Sequence, residues 1–190
     1  MQQAIAEHQI EEMKPKGRYV LTLANVDSPE AKEWERRAAA ARDRGDKMAA
    51  MGWMRRINQK YGCEKITVEN LVPIVGRAVL TARLAGTLTY TGTVNKAALG
   101  TGSTTPANAD TQLTTESYRN NIASATYADN IAYLTAFYTA AECNGTYAEV
   151  GLFIDGTASA NTGQMFSHAL ISVTKSAIQT LTIDWVVTLS

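Results

Sequence analysis

The spacing of apolar residues changes near Thr87, and that change constrains the fold more than any motif does. Before it, apolar residues recur at three- and four-residue steps; after it, they alternate with polar ones. The first spacing is that of a helix face and the second that of a strand. Composition shifts at nearly the same place. Fifteen of the eighteen Lys and Arg residues, and eleven of the eighteen Asp and Glu residues, precede Leu84. The remainder is rich in Thr, Ala, Gly, Ser and Asn. The chain therefore reads as an extended arm with a helical docking segment over residues 1–65, then a β-sandwich domain with a leading helix over residues 66–190.

Residues 1–17 are polar and read as an arm, and 18–26 as a short extended segment able to add to a sheet. Asp27-Ser28-Pro29-Glu30 is a helix start: Ser28 caps, Pro29 suits the first helical position, and Glu30 and Glu33 meet the positive end of the dipole. The spacing predicts a helix from about Pro29 to Tyr61. Gly45 is placed to divide it, Asp46 to cap the second half and Gly62 to end it. Trp34, Ala38, Ala41, Gly45, Met48 and Gly52 share one face; Ala50, Trp53, Met54, Ile57 and Tyr61 share another. Two readings stand. The helix covers its own domain, or it packs against copies of itself or another subunit. On the second reading the interface residues are Trp34, Ala38, Ala41, Met48, Trp53, Met54 and Tyr61. A second helix is expected from Leu71 to Leu84, with Thr67 or Asn70 as cap and Pro73 in its first turn.

Alternation then marks strands at 87–91, 94–99, 112–127, 130–141, 147–154, 164–173 and 179–189. Asn144-Gly145 and Asp155-Gly156 are turn signals between them. In the last strand Leu181, Ile183, Trp185, Val187 and Leu189 form the core face. The fold class is mainly β with an α-helical N-terminal segment: an antiparallel β-sandwich of about six to seven strands.

No chemistry-bearing constellation emerges. His8 and His168 lie far apart, and no Cys/His spacing suits zinc. His168, alone in a strand, reads as a packed or surface residue. Gly100-Thr101-Gly102-Ser103 lacks the lysine and helix start of a phosphate loop. Asp129, Glu142, Glu149 and Asp155 read as solvated turn residues. Arg36, Arg37, Arg42, Arg44, Arg55 and Arg56 are interleaved with acids, a pattern of ion pairs and not of a phosphate footprint. The formal net charge is zero, so no nucleic-acid partner is expected. No run approaches the 18 apolar residues of a membrane span, and the N-terminus lacks the apolar region of a secretory signal. Cys63 and Cys143 read as free thiols of a reducing cytoplasm. No cofactor, no metal and no enzymatic activity are expected.

The C-terminal part carries a recognisable order of segments. Ala97-Ala98-Leu99-Gly100-Thr101-Gly102-Ser103-Thr104-Thr105-Pro106 is followed by Asp110-Thr111-Gln112-Leu113-Thr114-Thr115-Glu116 and Arg119. Then come Tyr133-Leu134-Thr135-Ala136-Phe137-Tyr138, the hairpin from Glu142 to Phe153 with Asn144-Gly145 at its turn, and Leu181 to Leu189. This order resembles a β module of tailed-bacteriophage structural proteins, over roughly residues 66–190. The resemblance implies a virion component (tail, fibre attachment, collar or baseplate, or else a capsid decoration or head-fibre protein), assembled in the host cytoplasm. It implies a homo-oligomer in contact with other virion proteins. A carbohydrate- or host-surface-binding module is the alternative, with Tyr127, Tyr138, Tyr147 and the loops 100–110 and 155–163 as candidates.

Overall fold

A computed structural model describes residues 16–189. The arm expected at the N-terminus lies largely outside these residues. In chain order come strand β1 (Lys16–Asn25), helices α1 (Pro29–Asp43) and α2 (Lys47–Tyr61), β2 (Gly62–Asn70) and α3 (Ile74–Leu84). Six strands follow: β3 (Val94–Gly100), β4 (Glu116–Ala128), β5 (Ile131–Tyr138), β6 (Gly145–Ile154), β7 (Gln164–Lys175) and β8 (Gln179–Thr188).

All eight strands join one antiparallel sheet in the order β2-β1-β8-β5-β4-β3-β6-β7. Its two edges meet at Leu71 and His168, which exchange both backbone hydrogen bonds at 2.9 Å. The sheet is thus nearly closed on itself. The expected sandwich of six to seven strands is corrected to eight strands in one curled sheet. The additional strands, β1 and β2, come from the first 70 residues. β1 lies between β2 and β8, with Tyr19 opposite Trp185 and Leu21 opposite Ile183. The boundary expected at residues 65 and 66 falls inside β2. A strand expected at 87–91 does not form; there the Thr91 backbone N–H and hydroxyl both donate to the Asp155 carboxylate.

Alternation decides which side chains fill the inside. Tyr19, Leu21 and Leu23 of β1 meet Leu181, Ile183, Trp185 and Val187 of β8, with Leu99, Tyr138, Val150 and Leu152 from the other strands. The core face expected for β8 is as observed except at Leu189, which is 39% exposed at the strand's end. Two covers lie on the outside. Leu113 of the 101–115 loop packs with Ala98, Phe153 and Met165, against which Val75 of α3 also rests. Gly76 lets α3 come close to β7: a Cβ there would stand 2.8 Å from the Met165 carbonyl oxygen and 2.9 Å from Phe166 Cα. The α1–α2 hairpin forms the other cover, through Ala38, Ala41, Ala50, Met54 and Ile57 against Ala24, Ala123 and Phe137.

Candidate functional site

The helical hairpin is made by two local devices. Ser28 Oγ accepts from Ala31 N at 3.1 Å and Asp46 Oδ1 from Ala49 N at 3.1 Å, so each helix has the side-chain cap expected of it. Between them Gly45 takes φ +72° and turns the chain back. The stripe expected to run from Trp34 to Gly52 is therefore broken. Ala38 and Ala41 turn onto the sheet, whereas Met48 is 67% exposed.

The hairpin has two unlike faces. Ala38, Ala41 and Met54, expected to meet another subunit, are buried on this chain's own sheet. Small alanines let the helices lie close, and burying Met54 and Ile57 contributes about 1.5–3 kcal/mol each. Trp34, Trp53 and Tyr61 are half-buried at the margin of that same cluster. The Trp34 ring centroid is 6.5 Å from that of Trp53 and 5.7 Å from that of Tyr61. Arg37 and Arg56 stand over Trp53, and Lys60 over Trp34. Lys60 also pairs with Glu30. The result is an aromatic strip edged by cations. Arg36 and Arg37 bind Glu33 on the same helix.

Arg42 locks this hairpin to the sheet. Its Nη1 donates to Phe137 O at 2.9 Å and to Glu142 Oε2 at 2.8 Å, with the guanidinium side chain 8% exposed. Burial opposes the Glu142 charge, but Arg42 and the Thr139 N–H outweigh it and hold the carboxyl below its ordinary value. Glu142 is thus an anchoring acid and not a solvated turn residue.

Glu149 is a second departure from that expectation. It lies within β6, is fully buried, and accepts the backbone N–H groups of Gly102 (3.0 Å), Thr114 (3.0 Å) and Thr115 (2.7 Å). Its Oε2 faces His168 Nε2 at 3.2 Å, and His168 Nδ1 faces Asp110 Oδ2 at 2.8 Å. Asp110, Thr114 and Thr115 belong to the loop that covers β3, β6 and β7. The triad is therefore a pin for that loop, made of residues that sequence reading left separate. His168 is indeed packed, at 1% exposure. The pairing of Glu116 with Arg119 does similar work for the 155–163 loop, where Arg119 Nη1 donates to Thr157 O and Thr162 O. Cys63 and Cys143 are both free thiols; burial pushes that of Cys143 up to about 12.

The surface also carries concavities, one of them beside Trp53 on the hairpin. A groove of about 630 Å³ runs between α2 and the outer side of β1, β8 and β5, with Asp184, Thr135, Arg55, Gln59, Lys65 and Tyr133 in its lining. An apolar cavity of about 320 Å³ opens at one end of the curled sheet, between Leu80, Tyr127, Ile131, Phe166, Trp185 and Leu189. Tyr127 is 84% exposed there, while Tyr138 and Tyr147 are buried in the core and unavailable to a ligand. Among the described residues, no group of three His, Cys, Asp or Glu side chains is arranged to hold a metal ion. No helix among them is long and apolar enough to cross a membrane. Compared with known protein families, curated proteins and solved structures, the chain matches none.

Proposed function

We propose that this protein is a structural subunit that works through contacts with copies of itself, in the particle of a tailed bacteriophage. The apolar end of the curled sheet is the observation that carries the reading. Tyr127 there is almost fully exposed. Leu84, 85% exposed, lies one helical turn beyond the cavity-lining Leu80; Leu88, 75% exposed, lies in the connection whose Gly92 lines the same cavity. Large apolar side chains held in water around a concavity mark an association surface. The Trp34, Trp53 and Tyr61 strip is a second such surface, of the aromatic and arginine type that anchors interfaces. Met48 lies exposed on the same hairpin. The phage particle itself, whether tail, collar, baseplate or capsid exterior, rests on the resemblance of residues 66–190 to phage structural modules.

Light scattering on the full chain tests the reading. The intact protein is expected to form a multimer, and a Leu84→Lys, Tyr127→Asp double variant to dissociate while keeping its circular dichroism. Deleting residues 1–65 is unsuitable, because it removes β1, which pairs with both β2 and β8. A chain that is monomeric at all concentrations and absent from purified particles refutes the proposal.

A further inference from the structure

The groove between α2 and the sheet has a chemistry of its own, distinct from the apolar end. Its floor is the outward side of β8 and β5. Asp184 sits there, opposite Val20 on one side and Thr135 on the other. Asp184 Oδ1 accepts the Thr135 hydroxyl at 2.7 Å. Its Oδ2 has no hydrogen-bond partner among the described residues. Arg55 of α2 and Lys65 of β2 line the groove, yet neither forms an ion pair with Asp184 among those residues. Gln59 offers an amide from the helix wall, and Tyr133, 41% exposed, stands at the rim.

These groups offer a ligand both an acceptor and donors: the free carboxylate oxygen of Asp184 on the floor, and Arg55, Gln59 and Lys65 on the walls. A neutral molecule whose groups both donate, to Asp184, and accept, from Arg55 and Gln59, uses both without bringing a charge of its own to desolvate. Hydroxyl groups on adjacent carbons do both. The Tyr133 ring supplies an apolar face for C–H groups, and the volume falls within the roughly 300–1,000 Å³ of small-ligand sites. We propose that this groove binds a neutral saccharide, with Asp184 as the central acceptor. The groove shares Leu134 and Trp185 with the apolar cavity, but none of Leu84, Leu88 or Tyr127 lines it, so the variants that test the subunit contacts leave its lining unchanged.

Nuclear magnetic resonance titration of the full chain tests this. The probes are maltose, lactose, cellobiose and N,N′-diacetylchitobiose, with glucuronate and glucosamine as charged comparators. Concentrations up to about 20 mM read dissociation constants on the order of 1 mM. At least one neutral disaccharide should shift the amides of Thr135, Asp184 and Gln59. Asp184→Asn and the exposed-site variant Gln59→Ala should each weaken that binding about tenfold or more, with the rest of the spectrum unchanged. The proposal is overturned if none of the four disaccharides moves those amides, if both variants bind as the parent does, or if the charged sugars bind equally well.

Discussion

Replacing Glu149 by Gln exchanges one carboxylate oxygen for an amide nitrogen and should loosen a whole loop. Oε1 accepts Gly102 N and Thr115 N; Oε2 accepts Thr114 N and faces His168 Nε2. A glutamine keeps one oxygen. With its oxygen in the Oε1 position, the amide nitrogen confronts the Thr114 N–H, donor against donor. Flipped, it confronts two N–H groups instead. One lost acceptor costs about 1–3 kcal/mol, and the surviving bonds lose charge assistance worth about 0.5–1 kcal/mol each. The sum is roughly 3 kcal/mol. For a chain of this length that lowers the melting temperature by about 6–12 °C. If the loop opens locally, exchange of the Gly102, Thr114 and Thr115 amides should accelerate by about 100-fold. Scanning calorimetry and hydrogen exchange read the two effects separately. A change below about 0.5 kcal/mol with unaltered exchange would show that Glu149 does not pin the loop.

Other substitutions probe other parts of the structure. Burial raises the Asp184 carboxyl above its ordinary value of 3.8, against the lowering influence of Thr135, Lys65 and Arg55. At this group the native state therefore holds more protons than the unfolded one just above that value, so the contribution of Asp184 to stability falls as pH rises through this window, against the opposite contribution of Glu142. Asp184→Asn should remove that contribution, so that the stability of the variant relative to the parent rises with pH across this window in urea titrations; a difference that does not change with pH contradicts the assignment. Gly76→Ala forces α3 away from the β7 backbone and should cost about 1–3 kcal/mol in chemical denaturation; a neutral result means that the helix shifts freely.

Much of the secondary structure is legible in short windows of sequence. The capping Ser28 and Asp46, the break at Gly45, and the alternation from Leu181 to Val187 each involve neighbours in the chain. β2 is not legible because only Ile66 and Val68 represent its apolar side, flanked there by Glu64 and Asn70. The 87–91 segment alternates as a strand does, yet its Thr91 bonds a distant carboxylate in place of a neighbouring strand.

Local spacing thus determined where helices and strands would lie and which side of each was apolar. Tertiary structure alone decided that the first strand pairs with both the last strand and β2, that the helices bury their alanines on this chain's own sheet with the tryptophans at the margin, and that Asp110, Glu149 and His168 meet. The reason is range. Periodicity reports the orientation of side chains a few residues apart, whereas strand order and buried hydrogen bonds pair residues tens of positions apart, with no trace in either window alone.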